Sequence, residues 1–116
     1  MIPQQPFHNV GIGAVIFKDD EHILCVQERH GPLKGSGLWK LPTGSIELDE
    51  HIGVGAAREV FEETGIATEF DRLLAIRHRV GSERCDMYFV VSACERTCVL
   101  FRCACSLFRS IHRSVH

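Results

Sequence analysis

No apolar run in this 116-residue chain is long enough to cross a membrane, and the longest late one, Cys98 to Phe108, is interrupted by Arg102. The opening MIPQQPFHNV has neither a basic segment nor a continuous apolar one. No secretory signal is expected from it, and cytoplasm or nucleus is the expected location. An excess of basic charge is also absent. The formal net charge is −2 with histidines neutral, which gives no footprint for nucleic acid or a membrane surface. Length leaves no room for a second core. Acidic residues are missing after Glu95, where Arg96, Arg102, Arg109 and Arg113 are spread among cysteines, serines and aliphatics. That stretch has neither a helical nor a strand period, so its local choices agree on no single structure.

The six cysteines do not read as a disulfide framework in a chain without a secretion signal, and reduced thiols are expected. Cys25 lies in an apolar strand-like run, whereas Cys85, Cys94, Cys98, Cys103 and Cys105 crowd the last third. Cys94-x3-Cys98 with Cys103, Cys105, His112 and His116 gives no defined zinc-finger spacing.

What is present is a small mixed α/β pattern. Val10 to Phe17 and Ile23 to Gln27 are β-rich runs about a polar turn, and a hairpin is expected. Residues 29–37 read as a loop, residues 38–41 as a short extended piece before Pro42, and Thr43-Gly44 as a turn. A helix follows, with Asp49 as the expected N-cap and Glu50 suited to the positive end of its dipole. Ile52, Ala56 and Val60, with Ala57 and Phe61, form the expected core stripe. Gly65 suits a left-handed end. Leu73 to Arg79 and Met87 to Val91 read as two further strands. Four or five strands around one helix make a single α/β domain over 10–93, with 94–116 an atypical, poorly ordered tail.

The chemistry is concentrated between Gly44 and Ile66, GSIELDEHIGVGAAREVFEETGI. This stretch fits G-x5-E-x7-R-E-U-x-E-E-x-G-U at every fixed position, with U aliphatic: Gly44, Glu50, Arg58, Glu59, Val60, Glu62, Glu63, Gly65 and Ile66. At average residue usage the chance per start position is on the order of 10⁻¹⁰. On a helix Glu59, Glu62 and Glu63 fall within an arc of about 100°. Their mutual repulsion, several tenths of a kcal/mol per pair, is relieved by a cation. Hard oxygen ligands favour Mg²⁺ or Mn²⁺. Arg58, four residues before Glu62, can steady it through a charge-assisted contact. Gly44 lets a backbone carbonyl approach a metal. EVFEE alone would read as a solvated acidic face; the full pattern, loop glycine included, points to a metal site.

This stretch resembles the Nudix box. LWKLPTG (Leu38 to Gly44), GAAREVFEETGIATEF (Gly55 to Phe70), LAIRHR (Leu74 to Arg79) and CDMYFVV (Cys85 to Val91) resemble a eukaryotic subgroup of that family. It contains plant ADP-ribose/NADH pyrophosphatases and the animal Nudix protein encoded antisense to a fibroblast growth factor gene. The resemblance implies an α/β/α sandwich with a mixed sheet, and metal-dependent hydrolysis of nucleoside-diphosphate-linked compounds, ADP-ribose or NADH above all. It implies Glu59 and Glu63 as leading metal ligands and Glu62 as a further ligand or water-orienting group. Glu62, Glu63 and Arg58 are the catalytic candidates. Gly44, Glu50 and Gly65 are structural, and Arg58 also holds the box loop on its helix. Substrate-binding residues are not assigned. Arg77 and Arg79 can reach phosphates or belong to a solvated strand face, with His78 between them an ordinary strand residue. Trp39 and Phe17 can stack on a base, or pack in the core.

Two departures complete the expectation. Only nine residues precede Val10, where the subgroup carries a further domain. The C-terminal strand and helix are expected to be missing or replaced, by translated intron or an alternative exon. A general base would then come from Glu69, Asp71, Glu83 or Asp86. The competing expectation is an isoform without turnover that binds nucleotides or partners, with a homodimer formed through an exposed sheet edge.

Overall fold

The computed structural model describes residues 7–28, 34–96 and the strand at 108–110. The elements run β1 (His8–Asp19), β2 (His22–Leu24), β3 (Thr43–Ser45), α1 (Ile52–Thr64), β4 (Thr68–Val80), β5 (Cys85–Glu95) and β6 (Phe108–Ser110). They form a mixed sheet in the order β4-β5-β1-β2-β6, with β3 also paired to β1. β1 lies parallel to β5 and antiparallel to β2 and β3. The expected hairpin is β1–β2, and the expected extended piece before Pro42 is a bridge in which Lys40 and Val26 exchange backbone hydrogen bonds of 2.8 and 2.9 Å. The zinc scheme, Cys94 aside, falls outside the described residues. No helix among the described residues is long and apolar enough to cross a membrane.

Strand alternation decides what each face of the sheet carries. Ile12, Ala14 and Ile16 of β1, with Val91 and Ala93 of β5, meet Ala56 and Val60 of α1 and Ile66 in one core with Leu24. The intervening residues, Gly11 and Gly13, lie under Tyr88. A Cβ on Gly11 would come within 2.9 Å of the Tyr88 ring, and one on Gly13 would overlap its hydroxyl. β4 is an edge strand whose side chains are exposed beyond Thr68. Ile16 is completely buried, so Ile16→Val removes one methylene from a closed core. A loss of about 0.5–1.5 kcal/mol in urea unfolding is expected.

Three local expectations need correction. Asp49 is not the N-cap: α1 begins at Ile52 behind His51, which makes no side-chain capping bond. Asp49 instead turns the chain in the left-handed region, φ 58°, a conformation Asp tolerates better than most residues. Glu50 has a different task from complementing the helix dipole, described below. Thr43-Gly44 is not a turn but part of β3, paired with Ile12 and Gly13 of β1. Ala56 and Val60 are buried and Ile52 packs beside them, whereas Ala57 is half-buried and Phe61 is 56% exposed on the outer side of α1. The other end is as expected: Gly65 sits at φ 75° and donates its N–H to the Phe61 carbonyl.

Candidate active site

The centre of the box is Arg58, and its contacts explain why three other motif positions, Glu50, Glu59 and Glu62, have their identities. The guanidinium closes its fork on Glu50, Nε to Oε2 at 2.7 Å and Nη2 to Oε1 at 3.0 Å. Nη2 also donates to the Ser45 carbonyl at 3.0 Å, and Nη1 donates to Glu59 at 2.9 Å and Glu62 at 3.2 Å. Glu50 in turn accepts the Glu47 N–H at 3.0 Å. The Arg58 side chain thus pins the loop between β3 and α1 onto the helix. The expected Arg58–Glu62 contact exists, but the bidentate one is with Glu50, whose side chain is 9% exposed against 54% for Glu62. The neighbouring guanidinium holds the Glu50 carboxyl below its ordinary range, and the Glu47 N–H adds to this. Glu50, foremost among these carboxylates, raises the Arg58 pKa further.

Gly44 faces this cluster across a gap too small for a side chain. Its φ is not left-handed; its requirement is steric, because an added Cβ would overlap the carboxylate of Glu59. That approach brings the backbone of β3 against the carboxylate face of α1.

Glu63 sits on the other side of the same face. Its carboxyl is pushed above the ordinary range first by partial loss of water. Lys40 opposes that push by its charge, Glu59 and Glu28 add to it, and a backbone hydrogen bond from Thr43 opposes it. Lys40 donates to Glu28 at 2.7 Å and to the Thr43 hydroxyl at 3.1 Å. The Tyr88 phenol is raised mainly by burial; a hydrogen bond with the Thr43 side chain lowers it, and the charge of Glu63 raises it. Glu28, Lys40, Thr43 and Tyr88 were not singled out from the sequence. Lys40 and Thr43 lie in LWKLPTG and Tyr88 in CDMYFVV, the segments most specific to the resemblance, but only strand pairing shows that they converge on Glu63.

The donor set suits a hard divalent cation. Among the described residues, Glu28, Glu47, Glu50, Glu59, Glu62 and Glu63 are offset in this neighbourhood by Lys40 and Arg58. A carboxylate excess of this kind, with the Glu63 carboxyl pushed above its ordinary range, is what a bound divalent cation relieves.

Beside the cluster is a cavity of about 480 Å³, lined among others by Gly44, Arg77, Arg79, Arg84, Asp86 and Tyr88. Arg77 and Arg79 therefore face a concave surface that continues to the box. Of the four general-base candidates, Asp86 alone lines this cavity. Glu69 pairs with Arg96 at 3.0 Å, Asp71 accepts the Ser92 hydroxyl at 2.9 Å, and Glu83 lies in the exposed β4–β5 turn. Trp39 and Phe17 do not line the cavity, and neither is core: they are 41% and 52% exposed.

The family described as NUDIX domain matches residues 7–106. Nudix hydrolase 2 of Arabidopsis thaliana is 44% identical over 91 residues, covering 77% of this chain and 33% of that protein. The human nucleoside diphosphate-linked moiety X motif 6 is 38% identical over 112 residues, covering 84% of this chain and 34% of that protein. Among solved structures, an ADP-ribose pyrophosphatase from Streptococcus suis superposes with a TM-score of 0.60 at 28% identity, over 77% of this chain and 61% of that one. The chain spans about one third of the length of the curated relatives it matches.

Proposed function

The chain belongs to the NUDIX domain family, and from that membership and its site geometry we propose that it is a Mg²⁺- or Mn²⁺-dependent hydrolase of nucleoside-diphosphate-linked compounds. ADP-ribose or NADH is the substrate class, and AMP plus a phosphorylated remainder are the products. The observation that carries the reading is the set of Glu59, Glu62 and Glu63 on one helix face, the first two held by Arg58, opened by Gly44 to an arginine-lined cavity.

Glu59 and Glu63 are the metal ligands in this proposal, and the exposed Glu62 is a further ligand or orients water. The metal supplies charge neutralisation on the diphosphate and a more acidic water. Arg77, Arg79 and Arg84 hold the diphosphate oxygens through charge-assisted bonds. Asp86, on the same wall, is the proposed proton acceptor for the attacking water. That water adds to one phosphorus as the bond to the bridging oxygen breaks. Support for ADP-ribose comes from the similarity to the Streptococcus suis ADP-ribose pyrophosphatase, and support for the wider substrate class from the human relative, whose name refers to nucleoside-diphosphate-linked moieties.

The test is release of AMP from ADP-ribose by the purified chain with Mg²⁺. Release is expected to stop when a chelator removes the cation and to return on adding Mg²⁺ or Mn²⁺. Stabilisation by ADP-ribose without AMP release, from folded protein, would turn the assignment to a nucleotide-binding module.

A further inference from the structure

Three side chains with no part in the proposed hydrolysis meet at the opposite end of the sheet from its core. His8 opens β1, Cys85 opens β5 beside it in register, and His78 lies in β4 opposite Met87. The strand periods place all three on the same face of the sheet. His8 continues the alternation of Ile12, Ala14 and Ile16, while Arg77, Arg79 and Asp86 face the cavity on the other side. One donor atom from each of His8, His78 and Cys85 lies within 4.8 Å of the other two. The two imidazoles are stacked, with centroids 5.5 Å apart and an interplanar angle of 19°. Cys85 is a free, half-buried thiol, and its own N–H is fixed by the Phe7 carbonyl at 3.0 Å. Among the described residues none of the three side chains makes a hydrogen bond or an ion pair.

We propose that His8, His78 and Cys85 form a binding site for a borderline transition-metal cation, zinc above all, separate from the carboxylate site. Two imidazole nitrogens and a thiolate are a donor set that selects Zn²⁺ over Mg²⁺, the reverse of the preference of the glutamates on α1. Zn–N bonds of about 2.0–2.1 Å and Zn–S bonds of about 2.3 Å require ligand separations of roughly 3.3–3.8 Å. The two histidines are exposed, so side-chain rotation can bring the donors together, and water completes a four-coordinate shell. Binding releases the Cys85 S–H proton to solvent as the thiolate takes the metal. The bound ion joins the first strand to the β4–β5 hairpin, whose reverse face carries Arg77, Arg79 and Asp86. It therefore fixes the strands that line the cavity without entering it.

Site-resolved alkylation tests this on the full chain. N-ethylmaleimide labelling at neutral pH is followed at each cysteine by peptide mass spectrometry, with Zn²⁺, with Mg²⁺ and with neither. Zinc is expected to slow Cys85 labelling about tenfold or more, magnesium to leave it unchanged, and His8→Gln or His78→Gln to restore most of the metal-free rate. The buried Cys25 reports in the same digest whether each variant remains folded. Equal Cys85 labelling with and without zinc, or protection that persists in folded variants lacking both histidines, would overturn the site. Neither result depends on hydrolase activity.

Discussion

Glu63→Gln is expected to lower metal-dependent release of AMP by about 10²–10⁴-fold without lowering the stability of the metal-free fold. The first half follows from the charge removed. Glutamine keeps the shape of Glu63 but not the anionic oxygen, and loss of several kcal/mol of metal-borne transition-state stabilisation is worth that factor. The second half follows from the direction of the Glu63 shift. Its carboxyl is held above the ordinary range because partial burial and the charges of Glu59 and Glu28 disfavour ionisation. For a raised acid, stability is fully present below the unfolded-state pKa and is lost as pH rises through the folded one. At neutral pH the raised Glu63 carboxyl therefore weakens the metal-free protein. Glutamine removes that effect, so thermal unfolding without metal should occur at the same or a higher temperature. Added Mg²⁺ should stabilise the unmutated chain and have little effect on Glu63→Gln. A large drop in metal-free stability would instead make Glu63 a structural residue.

Gly44→Ala is the second variant with a large expected effect, and it separates steric from conformational reasons for a glycine. Alanine is compatible with the backbone of β3, since Gly44 has no left-handed φ. The new Cβ would overlap the Glu59 carboxylate, and that carboxylate is the far end of a flexible side chain. The fold can therefore yield by swinging Glu59 away, at a stability cost near the low end of the ~1–3 kcal/mol range for overpacking. Function cannot yield in the same way, because Glu59 leaves both Arg58 and the proposed metal. Turnover should fall about 10²-fold or more. A double-mutant cycle makes the mechanism specific: if Gly44→Ala acts through Glu59, adding Glu59→Gln should cost little further activity. Independent, multiplying losses would show that the methyl group disturbs something other than Glu59.

These expectations show which parts of the site could be read along the chain. The cluster of Glu59, Glu62 and Glu63 was legible because helical periodicity converts spacing directly into a shared face. Gly65 was legible because a helix end has a local conformational demand that glycine meets. Asp49 was misread for the complementary reason. It has the side chain of a cap, yet the loop pinned by Arg58 and Glu50 turns earlier and leaves His51 at the helix start. Phe61 was misread because a helical stripe wider than the surface it meets leaves its margin in water.

The sequence by itself determined the family, the α/β class and the residues of the carboxylate face, since all of these are carried by local pattern and composition. Tertiary structure decided that Arg58 clamps Glu50, that Gly44 makes room for Glu59, and that Glu28, Lys40, Thr43 and Tyr88 gather around Glu63. It also decided that Arg77, Arg79 and Asp86 share a cavity while His8, His78 and Cys85 meet behind it. The physical reason is that strand register, a pairing between segments as distant as His8 and Cys85, has no local signal. Sheet hydrogen bonding sets it only when the whole core closes, and every side chain then takes its face from that register.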